Sequence, residues 1–257
     1  MKLDHNCENP PKPARKIVSF AARPPVAAIL FDLDDTLWPI MPVIAQAEQR
    51  LFDWIRIHAS AVAEQHSIES LRARRTELMR EQPSLRADLV ALRHACLSEA
   101  FAACGVAPSA VDKAMQIFIQ ARNEVTPYDD VTACLPELSR RVRIGSLTNG
   151  AADLELIGLA HHFEVRVAAH QLGTIKPDPA IFHAACSALG LPPAQVAYVG
   201  DDLRLDVEGA QKAGLTGVWM NRGSAAHPPE LAHIRPDHTF ASLHDLVDWL
   251  DASHPAC

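Results

Sequence analysis

Five short apolar runs punctuate the chain, at residues 26–31, 142–147, 165–168, 196–199 and 217–220. They lack the polar alternation of a half-exposed strand, and runs of this kind mark strands buried on both faces, as in a parallel sheet covered by helices. Between the later runs the periodicity changes. Asp178 can cap a helix with Pro179 at its first position, and Ile181, Phe182, Ala185 and Leu189 recur at helical spacing before Gly190 ends it. Alternation of strand and helix from about residue 130 onward predicts a doubly wound α/β core.

The interval after the first strand breaks this pattern. Residues 41–124 contain no convincing strand, only helical sets such as Leu51, Trp54, Ile55 and His58, or Val111, Met115, Phe118 and Ile119. A crossover between parallel strands needs only about a dozen residues. An inserted all-helical domain is therefore expected over 41–124, with residues 25–40 and 125–257 forming the core. Residues 1–24, rich in Pro and charge, are expected to be a flexible tail.

Composition narrows the possibilities. Among 257 residues, 48% are hydrophobic, enough for a sizeable core, and the formal net charge of −7 offers no basic excess for a nucleic-acid backbone. Cys7, Cys96, Cys104, Cys134, Cys186 and Cys257 form no CxxC pair and no regular spacing, so neither a disulfide framework nor a zinc site is indicated. No apolar stretch approaches the roughly 18 residues of a membrane span, and the first residues lack a signal-peptide core. A cytoplasmic protein with no membrane or nucleic-acid partner is expected.

The chemistry concentrates where the strands end. Asp32, Asp34 and Asp35 follow the first strand, Thr148 and Asn149 the second, Lys176 precedes the next strand-helix unit, and Asp201, Asp202 and Asp206 follow the fourth strand. In a doubly wound sheet, ligands bind in the crevice beyond the carboxyl ends of the strands. Carboxylates gathered there repel one another unless a cation intervenes, and hard oxygen donors suit Mg²⁺, which also binds phosphate oxygens. An EF-hand does not explain the D-x-D, because its sixth loop position would be Leu37 rather than Gly and its twelfth Val43 rather than Glu.

Four pieces in order, FDLDDTL, SLTNG, TIKPDP and VGDDLRLDVEGA, resemble the haloacid dehalogenase-like hydrolase superfamily from about residue 26 to 223. The resemblance implies a Rossmann-like core and a nucleophile at Asp32 with a general acid/base at Asp34. It implies Mg²⁺ held by Asp32, the backbone carbonyl of Asp34, and Asp201, with Asp202 and Asp206 in support. Thr148 would donate to a phosphoryl group, assisted by backbone amides near Leu33 and Asn149, and Lys176 would supply positive charge. Members that cleave carbon–halogen bonds lack an aspartate at the position of Asp34, so the resemblance implies a phosphatase rather than a dehalogenase. The helical insertion looks like the family's C1-type cap, which implies a small phosphorylated metabolite as substrate. FDLDDTLW-P-x-M-PVI-x-x-AE is most similar to bacterial members acting on flavin mononucleotide or the phosphorylated ribitylaminouracil precursor of riboflavin. A phosphomutase on the same core, or a non-catalytic phosphate-binding module, is the alternative.

Each signal also has a plainer reading. The aspartates of DLDDT can cap a helix, Thr148-Asn149-Gly150 can be a turn, Lys176 a surface lysine and Asp206 a solvated helix residue. Trp38 can stack on a substrate ring or pack the hinge into the insertion. His161 and His162 are adjacent, point apart on a helix and match no metal-binding spacing. Arg72, Arg74, Arg75, Arg80 and Arg86 suggest a solvated basic face, or one that meets an anionic substrate.

Overall fold

The computed structural model describes residues 25–253; the expected N-terminal tail, Cys7 and Cys257 lie outside them. Six strands form one sheet: β1 (Ala28–Phe31), β2 (Arg143–Thr148), β3 (Val165–Ala168), β4 (Val196–Gly200), β5 (Thr216–Met220) and β6 (His238–Phe240), in the order β3-β2-β1-β4-β5-β6. Every pairing is parallel. The order reverses between β1 and β4, which places the carboxyl ends of these two strands at the switch point where doubly wound folds bind ligands.

The central strands are apolar throughout because each face meets a different core. Along β1, Ile29 and Phe31 enter one cluster while Ala28 and Leu30 enter the other, and on β4 Ala197 and Val199 oppose Val196 and Tyr198 in the same way. Two helices, α6 (Val131–Ser139) and α11 (Leu243–Ser253), cover the first face. The second is covered by α9 (Pro179–Leu189) and α10 (Gly209–Lys212). The short helices α7 (Leu154–Ile157) and α8 (Ala169–Leu172) follow β2 and β3. Asp178 caps α9 through a bond accepted from the Ala180 amide, and Gly190 ends that helix at φ 63°, as the sequence predicts.

Two strands depart from the sequence expectation. β3 is half-exposed rather than buried on both faces, since it forms one edge of the sheet. β6, at the other edge, has three residues with alternate exposure and carries no apolar run to reveal it.

Between β1 and β2 lies the helical insertion: α1 (Ile40–His58), α2 (Ser60–Gln65), α3 (Ile68–Glu81), α4 (Leu89–Ala103) and α5 (Pro108–Arg122). It has its own core, with Ala47, Leu51 and Ile55 of α1 against Leu71, Leu97, Phe101, Met115 and Phe118. Within it, Glu48 is buried and paired with Arg72, Arg75 and Arg93. Arg74 meets Glu77, Glu81 and Glu99. Three members of the basic cluster are thus committed to glutamates inside the insertion. Arg93 also lies over the Phe118 ring, 3.5 Å from its centroid. Among the described residues, no helix is long and apolar enough to cross a membrane.

Candidate active site

A tight turn leaves β1. Asp35 adopts a left-handed φ of 59°, its amide bonds the Trp38 carbonyl at 2.8 Å, and the Leu37 amide bonds the Leu33 carbonyl at 2.8 Å. Aspartate tolerates this backbone better than most residues. Asp35 then accepts a bond from the Ile40 amide through Oδ1 at 3.0 Å, satisfying the first turn of α1. Of the three aspartates, this one is the helix cap, which leaves Asp32 and Asp34 for the crevice.

Asp32 and Asp206 share one cation. Lys176 Nζ lies 2.8 Å from Asp32 Oδ1 and 2.6 Å from Asp206 Oδ1, and donates to the Tyr198 hydroxyl at 2.8 Å. Tyr198 in turn donates to the Leu147 carbonyl at 2.7 Å. All four side chains are buried. Burial works against the lysine's charge, but Asp206 and Asp32 outweigh it and hold its pKa above the ordinary lysine value. Lys176 is therefore a fixed, buried cation beside Asp32 and not a surface lysine.

One lysine is too little charge for the carboxylates present. Asp32, Asp201 and Asp206 each offer an oxygen within 4.8 Å of the others. Burial pushes Asp32 up to about 8 against the opposing pull of Lys176, with Asp206 and Asp201 adding to the rise. Asp201 is pushed up to about 7 by burial first, then by Asp206 and Asp35. A hard divalent cation would relieve this repulsion, and the all-oxygen donor set fits one. Asp206 has its second oxygen occupied by the Asp202 amide at 2.9 Å, so Asp32 and Asp201 are the more available ligands. Thr36 orients Asp201 by donating to its Oδ1 at 3.2 Å. Gly200 permits this packing: a Cβ there would meet Asp206 Cγ at 2.3 Å.

Thr148, at the end of β2, accepts the Gly150 amide at 2.9 Å through Oγ1, which leaves its hydroxyl proton free to be donated. Leu33 and Thr148 both line a cavity of about 520 Å³ that continues over Asn123, Asp153 and His170. A Cβ on Gly150 would come within 2.5 Å of Asp34 Oδ2, so a larger residue there would push this carboxylate aside.

Trp38 and Asp202 sit differently from their assigned roles. Trp38 is fully buried and presents no face on which a substrate ring could stack; its indole donates to Asp34 Oδ1 at 2.9 Å. The Asn149 side chain clamps the Lys176 backbone, accepting from its amide at 2.8 Å and donating to its carbonyl at 3.2 Å. Asp202 turns its carboxylate away to cap the helical turn 203–208, accepting the Arg204 and Leu205 amides at 2.7 and 2.8 Å. Asp206, by contrast, is in the centre of the charge network.

Arg122, Tyr198 and Thr36 escape sequence reasoning. Tyr198 lies inside an apolar strand pattern, and Arg122 meets Asp34 across 88 positions, so neither contact has a local signal. Thr36 is visible only as part of D-x-D-x-T.

The profile of the haloacid dehalogenase-like hydrolase family matches residues 26–214. The chain is 31% identical over 245 residues to the phosphoserine phosphatase of Thermus thermophilus, covering 85% of this chain and 96% of that protein. It is 28% identical over 199 residues to the 5-amino-6-(5-phospho-D-ribitylamino)uracil phosphatase of Escherichia coli, covering 76% and 83%. Among solved structures, a 2-haloacid dehalogenase from Pseudomonas syringae superposes with a TM-score of 0.83 at 32% identity, covering 89% of this chain and 100% of that one.

Proposed function

The chain belongs to the haloacid dehalogenase-like hydrolases, and from that premise we propose that it hydrolyses a small phosphomonoester through an aspartyl-phosphate on Asp32. The carrying observation is Asp34, whose carboxylate stands in the crevice against Gly150 and near Thr148. Release of an alkoxide needs a proton, whereas release of a halide does not. A residue placed to give that proton favours phosphate esters.

In the first half-reaction an Asp32 oxygen attacks phosphorus, the ester P–O bond breaks, and the leaving oxygen takes a proton from the Asp34 carboxyl. In the second, Asp34 takes a proton from water as the water oxygen attacks phosphorus, and the Asp32–phosphorus bond breaks to release phosphate. Lys176 holds Asp32 in place and offsets negative charge near the phosphoryl group. The Thr148 hydroxyl donates to a phosphoryl oxygen, and backbone amides near Leu33 and Asn149 serve the same group. Asp32 and Asp201, with the carbonyl of Asp34, would hold Mg²⁺, supported by Asp206. The cation supplies charge neutralisation and phosphate orientation. Residues 41–124 act as the cap that limits access to small substrates.

The relative acting on a ribitylaminouracil phosphate supports a riboflavin-pathway phosphate or flavin mononucleotide as substrate; the phosphoserine phosphatase draws the choice toward a phosphorylated amino acid. Phosphate release from these three compounds, with Mg²⁺ and with EDTA, separates the choices. Metal-dependent release supports the reaction, and the preferred compound identifies the substrate class. A second reading, hydrolysis of a 2-haloacid, draws on the Pseudomonas structure. Halide release from 2-chloropropionate without phosphatase activity would favour it.

A further inference from the structure

Asp34 is held from the insertion side by a buried guanidinium. Arg122 is the last residue of α5 and 4% exposed, and its Nη2 donates to Asp34 Oδ1 at 2.9 Å and Oδ2 at 2.8 Å. Trp38, just before α1, donates to the same Oδ1 at 2.9 Å. Both chain segments that join the insertion to the sheet therefore end on one carboxylate, while Gly150 forms its third wall. The next residue extends the tie: Asn123 accepts the Asp153 amide at 2.8 Å and donates to the Ile119 carbonyl at 2.9 Å. Residues 122 and 123 thus fasten the exit of the insertion to the loops after both β1 and β2.

Arg122 is a costly choice for a strut. Its Nη1 is buried without a hydrogen-bond partner, and an unsatisfied buried donor destabilises a fold. Packing alone would favour an apolar residue of similar length. What the arginine provides is orientation of Asp34, because two charge-assisted bonds to a carboxylate fix it more firmly than one.

We propose that Arg122 is a positioning residue for proton transfer by Asp34, so that the general acid/base is set by the join between cap and core. The inference rests on the phosphatase reading above. Arg122 transfers no proton itself; the proton passes between Asp34 and the leaving oxygen, then between water and Asp34. Misplacing a catalytic group by about 1 Å is enough to lose roughly 100-fold in rate.

The test is a double-mutant cycle of Arg122→Met and Asp34→Asn, with Arg122→Lys as the conservative variant and Asp32→Asn as control. It is measured on aryl phosphates with leaving groups of graded basicity and on an alkyl phosphate. Arg122→Met is expected to lower kcat about 100-fold on the alkyl ester with KM changed little. The loss of the phosphorylation rate should shrink as the leaving group improves, and p-nitrophenyl phosphate should give a burst of nitrophenolate. On the Asp34→Asn background it should add almost nothing, since both substitutions disable the same proton transfers. Arg122→Lys should recover part of the rate. Additive losses, or a loss equal for all leaving groups, would overturn the positioning role. If Arg122→Met does not fold, Arg122→Lys is put through the same cycle under the same criterion. No phosphate release by the unsubstituted protein, or release that survives Asp32→Asn, would instead remove the reading beneath the inference.

Discussion

At the scale of single residues, the site is a problem in charge balance. Asp32 and Asp201 are pushed up to about 8 and about 7, with burial as the leading cause in both. An exposed aspartate titrates near about 3.9. Between those values the folded, metal-free protein binds more protons than the unfolded chain, so its stability should fall as pH rises from about 4 to 8. A cation needs both groups ionised. Mg²⁺ binding should therefore release protons below pH 8, and its affinity should rise at least about tenfold from pH 6 to 8. Calorimetry in two buffers of different ionisation enthalpy reads both quantities, and a pH-independent affinity would contradict the assignment. Lys176→Met should leave Asp32 and Asp206 without their cation and cost about 3–5 kcal/mol in urea unfolding at neutral pH, with turnover lost. A variant as stable as the parent would show that Lys176 does not hold the pair. Much of this residue-level picture was legible in the sequence, because D-x-D-x-T, the lysine and the later aspartates fall at strand ends. The finer roles were not. Asp35 and Asp202 are the same residue type as Asp32 and Asp201, yet local backbone amides claim both carboxylates as caps.

At the scale of elements, burial explains what the pattern could reveal. β1, β4 and β5 are buried at every position and, after Thr216 at the start of β5, read as apolar runs. β6 is a short edge strand with polar positions, and nothing in its three residues separates it from a loop. The helices of the insertion were legible as periodic sets, but not the ion cluster between them. Glu48 on α1 meets arginines from α3 and α4, and side-chain pairing across helices leaves no trace in local spacing. Burial raises the pKa of Glu48, and Arg75, Arg72 and Arg93 together overcome this and hold it below the usual range. That stabilisation is fully present above about pH 4.3 and is lost as pH falls through the depressed value. Glu48→Gln should leave the arginines crowded around a neutral group and cost about 3 kcal/mol, the low end for a buried pair because Arg72 is half-exposed. Urea unfolding at pH 7 checks this. A change under about 0.5 kcal/mol, the range of ordinary surface substitutions, would contradict it.

At the scale of the whole molecule, the sheet gathers residues from four stretches of chain into one crevice, and the insertion closes its circuit back onto Asp34. The sequence spacing foretold an inserted domain because a crossover does not need a stretch as long as residues 41–124. It could not foretell that both joins would converge on the same carboxylate, since that depends on how α5 returns beside α1. The proposed reaction passes its phosphoryl group through Asp32. The most direct measurement is acid quenching during turnover with Mg²⁺ and the preferred phosphomonoester, followed by mass spectrometry of the protein and its peptides. The expected result is a protein heavier by one phosphoryl group, located on the peptide containing Asp32, with no such species or turnover in Asp32→Asn. Phosphate release from Asp32→Asn at the parental rate, or phosphorylation of a different residue, would contradict it.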